Sequence, residues 1–317
     1  MSGGLDPDAQ ALLDVVEAMG LPPLQTLSVD AARERMRAAF VDRGPPIELT
    51  NVEDVALPSP DGALRCRLYR PSPGELPVAL FLHGGGWTVN DLDTHDGLCR
   101  RIAARSGWLV ASLDYRRAPE HKYPAALLDA YLAYRWLLDN AATIGGDAAH
   151  RALIGESSGA NIVAALTLLL RDLRCPMPTY QVLAYPVTDR FDRHPSYREH
   201  GVGYALDREL MRWYLDHYLP PAHDENDPYL FPLAATSLAG LPPALVMTAE
   251  FDPLRDEGLA YAGRLAAEGV AVEHVHAGDQ MHGFLMMHRA VRTAGDLIDQ
   301  LAAALARRGP RPAAAPS

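Results

Sequence analysis

The chain has 317 residues, 48% of them hydrophobic, and a formal net charge of -11, enough to bury a sizeable core in one large domain or two smaller ones. An acidic balance with no Lys/Arg run disfavours nucleic acid and anionic membrane as partners. Cys66, Cys99 and Cys175 are odd in number and far apart; they suit neither a disulfide framework nor a C-x-x-C metal site and point to a reducing, cytoplasmic setting.

The acidic opening "MSGGLDPDAQALLDVVEAMG" lacks a basic start and a cleavage site after an apolar stretch, so no signal peptide is expected. No apolar run approaches the ~20 residues of a membrane span. Leu12, Leu13, Val16 and Met19 recur at helical spacing up to Gly20, and "SVDAARERMRAAF" predicts a second helix capped by Ser28. In "VEDVALPSPDGALRCRLYRP" the period drops to two around a Pro-Asp-Gly turn, which predicts an antiparallel hairpin.

From residue 77 strands and helices alternate, in the order "PVALFLHGGGW", "THDGLCRRIAARSG", "WLVASLDYR", "PAALLDAYLAYRWLLDN", "HRALIGES", "SGANIVAALTLLLRDL" and "YQVLAYPVTD". The strands are apolar nearly throughout, as a parallel sheet covered on both faces requires, so the fold class is α/β. Regularity breaks over residues 190–235, which are rich in His, Tyr and Pro and hold one amphipathic helix near Leu210, Trp213 and Tyr214; this stretch reads as an inserted cap. Strand and helix return in "PALVMTAE", "DEGLAYAGRLAAEG" and "VAVEHVHA", and a closing helix runs through "TAGDLIDQLAAALARR". The tail, 309–317, has a composition that predicts disorder.

The run "LIGESSGAN" fits G-x-S-x-G with Gly155, Ser157 and Gly159, set between a strand and a helix as a nucleophile elbow would be. A serine nucleophile needs a base, and the base an orienting acid, in the order Ser, Asp/Glu, His. Asp252 follows one later strand and His282 the next, so all three can reach the rim formed by the strands' carboxyl ends. Glu250, Asp256 and Glu257 are rival acids, the latter two as helix N-terminal acids. His274 and His276, in an alternating strand, are rival bases. "LHGGGW" places Gly84, Gly85 and Gly86 after a buried strand, where bare backbone can aim N–H groups at an oxyanion beside the N–H of Ser158. Neither a G-K-[ST] nor a G-x-G-x-x-G helix start accompanies them, so a phosphate cradle is a poor reading.

These motifs, with "DYRRAPEHKYPAALLDA", "YPVTD", "DPLRDEG" and "HGF" in the same order, resemble the hormone-sensitive-lipase-like family of bacterial carboxylesterases, of the α/β-hydrolase fold, from about residue 45 to 300. The resemblance implies a mostly parallel sheet with helices on both faces and a helical cap. Residues 1–45 would supply cap helices, 46–189 and 236–308 the core, and 190–235 the inserted cap segment. It also implies Ser157 as nucleophile, His282 as general base and then acid, Asp252 as orienting carboxylate, and Gly85, Gly86 and the Ser158 backbone as oxyanion hole, with His83 and Gly84 shaping that loop. A small-molecule ester as substrate, no metal or organic cofactor, and pairing as homodimers through a sheet edge complete the expectation.

The family's Asp-Ser-Ala-Gly-Gly is replaced here by Glu156, Ser157, Ser158, Gly159 and Ala160. Glu156 would brace the loop, and the Ser158 hydroxyl adds a polar group beside the nucleophile. Trp87, Tyr185, Trp213 and Tyr214 are candidates for the pocket wall, with core packing as their ordinary alternative. Short-chain esters are the expected substrates. Amide hydrolysis by the same triad, and a non-catalytic receptor on the same fold, are the rival functions; a receptor typically loses a triad member, and all three are present.

Overall fold

The computed structural model describes residues 4–41 and 44–310; the last seven residues of the expected disordered tail lie outside them. Eight strands form one sheet in the order β1-β2-β4-β3-β5-β6-β7-β8. In chain order they are β1 (Asn51–Leu57), β2 (Leu64–Arg70), β3 (Leu76–Leu82), β4 (Leu109–Asp114), β5 (Gly146–Glu156), β6 (Tyr180–Ala184), β7 (Ala244–Phe251) and β8 (Val272–Met281). The predicted hairpin is β1/β2, and β2 joins β4 antiparallel; every other pairing is parallel.

The helices are α1 (Pro7–Ala18), α2 (Val29–Phe40), α3 (Asp96–Ser106), α4 (Ala125–Asn140), α5 (Ser158–Asp172), α6 (Ser196–Glu199), α7 (Arg208–Tyr218), α8 (Arg255–Ala267) and α9 (Arg292–Ala306). Every residue of β3 is buried, and its side chains divide by parity. Val78, Leu80 and Leu82 enter one core with Ile162 and Leu166 of α5, while Ala79 and Phe81 enter another with Ile102 of α3 and Ile298 of α9. This is why the strand sequence shows no polar alternation: neither face meets water. For the same reason α5 is buried around most of its circumference, with twelve buried residues among its fifteen.

Registers line up the sheet's carboxyl rim. Leu82 pairs with Gly155, Glu156 with Ala184, and Phe251 with Met281. The chain therefore leaves β3 at His83, β5 at Ser157, β6 at Tyr185, β7 at Asp252 and β8 at His282 along one edge of the sheet.

The segments before β1 and after β6 lean over this rim. Ser28 caps α2 as predicted, its hydroxyl accepting from the N–H of Ala31 at 3.3 Å. Arg33 of α2 donates to the carbonyls of Thr88 and Ala118, both at 2.9 Å, and forks onto Glu120 at 2.7 Å. Asp6 caps α1 and also receives the Thr293 hydroxyl at 2.8 Å, while its own N–H donates to the carbonyl of Asp279 at 2.8 Å. The first helix is thus tied to the strand that delivers His282.

Candidate active site

Ser157 sits at φ 55°, ψ -123° between β5 and α5, a left-handed conformation that costs a non-glycine residue on the order of 1–3 kcal/mol. The flanking glycines make the turn feasible: a Cβ on Gly155 would run into the backbone of Gly159, and one on Gly159 into the carbonyl of Leu82. The N–H of Ser157 donates to Ala184 at 2.9 Å, which fixes the turn to the neighbouring strand.

The Ser157 hydroxyl lies 2.9 Å from Nε2 of His282, whose Nδ1 lies 2.7 Å from Oδ2 of Asp252. An ionised carboxylate only accepts, so Nδ1 carries the hydrogen and Nε2 is left to accept from the serine. Asp252 is fully buried and its Oδ1 accepts from the N–H of Leu254 at 2.8 Å, so its orientation is held at both oxygens. Ser157 and His282 retain 8% and 9% exposure, a narrow opening. Two grooves of about 600 and 350 Å³ lie beside α2, and neither is walled by the three residues.

The rival acids and bases are engaged elsewhere. Glu250 pairs with Arg255 at 2.9 Å and His276 at 3.0 Å, and Asp256 accepts from the N–H of Ser196 at 2.9 Å. Glu257 opens α8 in sequence, yet it is completely buried and accepts from the N–H of Thr188 at 2.8 Å. Burial, helped by the charges of Asp189 and Asp252, pushes its carboxyl well above the usual range. His274 and His276 both meet the hydroxyl of Thr248 at 2.9 Å.

The carbonyls of the glycine loop are all engaged within the loop. Gly84 O meets Nδ1 of His83 at 2.8 Å, Gly85 O accepts from the N–H groups of Thr88 and Val89 at 3.0 and 2.9 Å, and Gly86 O accepts from the Thr88 hydroxyl at 2.9 Å. The N–H groups of Gly85, Gly86 and Ser158 meet no acceptor among the described residues. Gly85 and Gly86 hold φ of 115° and 56°. The Ser158 hydroxyl takes the N–H of Trp87 at 3.1 Å and so helps fasten the loop.

The four aromatic candidates have different fates. Trp87, a candidate for the pocket wall with core packing as its alternative, is 1% exposed and stacked flat on Tyr218 of α7 at 4.2 Å and 1°. Its contact carries α7 onto the loop, a pair worth about 0.5–1.5 kcal/mol beyond burial. Tyr185 packs in T-shaped geometry against the His282 imidazole at 4.8 Å and against Phe284 at 4.9 Å. Trp213 is half-buried against Tyr214 and His217. Tyr214 covers Gly86 so closely that a Cβ there would overlap the ring.

Gly86→Ala is therefore expected to lower kcat by roughly 10²–10³-fold, because both φ and Tyr214 force the loop to shift. Steady-state hydrolysis of p-nitrophenyl acetate reads it; a wild-type kcat in the folded variant contradicts the placement.

Two residues had no functional signal in the sequence. Asn161 of α5 donates to the carbonyls of Val187 and Leu230, both at 3.0 Å, tying the helix to the chain just before the 190–235 segment and to a residue near that segment's end. His95 is completely buried, and its Nε2 lies 3.0 Å from Oε1 of Glu156.

A family model described as alpha/beta hydrolase fold matches residues 79–286. The chain is 40% identical over 318 residues to a carboxylic ester hydrolase of Mycobacterium tuberculosis, covering 96% of this chain and 84% of that protein. It is 36% identical over 312 residues to an ethyl acetate hydrolase of Pseudomonas putida, covering 95% and 98%. The solved structure of a thermostable esterase from Pseudomonas putida ECU1011 matches with a TM-score of 0.93 at 34% identity, covering 97% of this chain and 98% of that one.

Proposed function

The chain belongs to the hormone-sensitive-lipase-like family of α/β hydrolases and is a carboxylic ester hydrolase; from that premise we propose that Ser157, His282 and Asp252 perform its chemistry by two-step acyl transfer. The observation that carries this reading is the continuous hydrogen-bond chain from the Ser157 hydroxyl through His282 to buried Asp252. His282 Nε2 takes the serine proton as Oγ attacks the ester carbonyl, and the carbonyl oxygen becomes negative. The N–H groups of Gly85, Gly86 and Ser158 receive that charge as the oxyanion hole. The imidazolium then protonates the leaving alcohol, and the same nitrogen activates water to release the acid.

Residues 1–45 and 190–235 act as the cap over a core of 46–189 and 236–308, in line with the Arg33, Trp87 and Tyr214 contacts. Tyr214 and Trp213 face the substrate from the cap, and Tyr185 flanks it beside His282. The narrow opening favours short acyl chains on small esters. On p-nitrophenyl esters from acetate to palmitate, kcat/KM is expected to peak at or below about six acyl carbons; a maximum at long chains overturns the size assignment. Adding one N-acetylated amine to that panel separates ester from amide hydrolysis.

No helix among the described residues is long and apolar enough to cross a membrane. Cytoplasmic residence completes the reading, supported by the free thiols of Cys66 and Cys99 in the core. β8 is the last strand of the sheet, with no strand on its outer side among the described residues, which supports homodimer formation through that edge.

A further inference from the structure

A carboxylate and an imidazole are buried together directly beneath the glycine loop, and neither belongs to the proton relay described above. Glu156 is 3% exposed and His95 is 0% exposed. Oε1 of Glu156 accepts both the N–H of Gly84 and, at 3.0 Å, a hydrogen from Nε2 of His95. On its far side His95 is held by the Thr94 hydroxyl, 3.0 Å from Nδ1, and that hydroxyl also accepts from the N–H of Asp91 at 2.9 Å. The chain of contacts therefore runs from the start of α3 to the first peptide of the glycine loop. Burial would raise the Glu156 carboxyl, but the hydrogen bond and field of His95, then His282 and the Gly84 N–H, hold it below its usual value.

The carboxylate also accounts for a glycine. Gly84 has an ordinary φ, yet a Cβ there would overlap the carboxylate of Glu156. The absent side chain lets the acid approach the loop's backbone, and the loop is pinned one residue before the two peptides whose N–H groups are proposed to receive the oxyanion. Glu156 itself immediately precedes Ser157, so one residue links the nucleophile's turn to the loop that meets the charge the nucleophile creates.

The geometry points to Glu156 and His95 as positioning residues that set the distance between the oxyanion loop and Ser157. This rests on the proposed roles of Ser157, Gly85 and Gly86, and goes beyond bracing: the pair acts on the rate through transition-state charge, without touching substrate. A hydrogen bond to an ionised, buried acceptor is strong enough to hold a backbone loop within the few tenths of an ångström that oxyanion stabilisation requires.

The test pairs kinetics with a transition-state mimic. A trifluoromethyl ketone adds to the serine and places an oxyanion in the hole, whereas KM for a short ester reads ground-state binding. Glu156→Ala is expected to lower kcat roughly 10–100-fold with KM within about twofold, and to weaken the ketone's inhibition constant by the same factor. Glu156→Gln, whose amide oxygen still accepts from Gly84, is expected to recover most of both. A Glu156→Ala protein with wild-type kcat and ketone affinity, or one that loses kcat with ketone affinity intact, overturns the inference.

If Glu156→Ala does not fold, His95→Ala is the deciding variant: parallel losses of about fivefold or more in kcat and ketone affinity support the pair, and unchanged values overturn it. Failure here leaves the esterase reading standing as long as Ser157→Ala is inactive; an active Ser157→Ala protein removes both.

Discussion

Ser157→Ala is expected to fold like the parent protein and to lose about 10⁵–10⁶-fold in kcat on p-nitrophenyl acetate, or about 7–8 kcal/mol of barrier stabilisation. The hydroxyl's hydrogen-bond partner is His282 at 2.9 Å, so its removal disturbs no core packing, and alanine accepts the same strained backbone that serine does. What disappears is the atom that forms the covalent bond. The residual rate above water would come from the oxyanion donors and substrate binding alone. Mass spectrometry after treatment with a fluorophosphonate checks the same point independently: the parent is modified at Ser157 and the variant is not. Turnover within tenfold of the parent would dismiss Ser157 as nucleophile.

Asp252→Asn is expected to cost about 10⁴-fold in kcat, or about 5.5 kcal/mol, with little change in melting temperature. The acid accepts from Nδ1 of His282 at 2.7 Å and from the N–H of Leu254 at 2.8 Å. An asparagine that keeps the Leu254 bond through its oxygen turns an NH₂ group towards His282. Nδ1 must then accept, the ring hydrogen moves to Nε2, and Nε2 faces the serine hydroxyl as a donor when it should take a proton. Glu250→Gln is the control, since that carboxylate is committed to Arg255 and His276. If the control lost as much as Asp252→Asn, the orienting acid would be misassigned.

The hydrogen-bonded trio of Ser157, His282 and Asp252 was legible as a candidate because each member follows a strand, and strand ends announce themselves. Ser157 stands between glycines where an apolar run becomes a helix; Asp252 and His282 follow β7 and β8 by one residue each. The sequence also singled out Gly84 to Gly86, since three successive glycines after a buried strand have few other uses. It could not say why Gly84 in particular is glycine, because the answer is a carboxylate 72 residues away. The aromatic candidates were harder for the same reason. Trp87 and Tyr214 are both large and apolar, and only packing turns one onto Tyr218 and the other over Gly86.

His95 and Glu257 mark the limit of reading by type. His95 occupies "LDTHDGL" with the look of a helix-start histidine, and Glu257 sits in a first turn where an exposed acid is ordinary. Both are completely buried, and burial belongs to the partner surfaces, not to the local residues.

By itself, the order of residues determines the two periods, the turns, the α/β class and the three positions proposed to carry the chemistry. These follow from local backbone preferences and from which side chains leave water, so a short window contains them. Register and packing were decided only in three dimensions. The pairing of Phe251 with Met281 and of Glu156 with Ala184 sets Ser157, Asp252 and His282 level along one rim. Hydrogen-bond distances of a few ångströms between residues 125 positions apart depend on every strand between them, and no local preference encodes that sum.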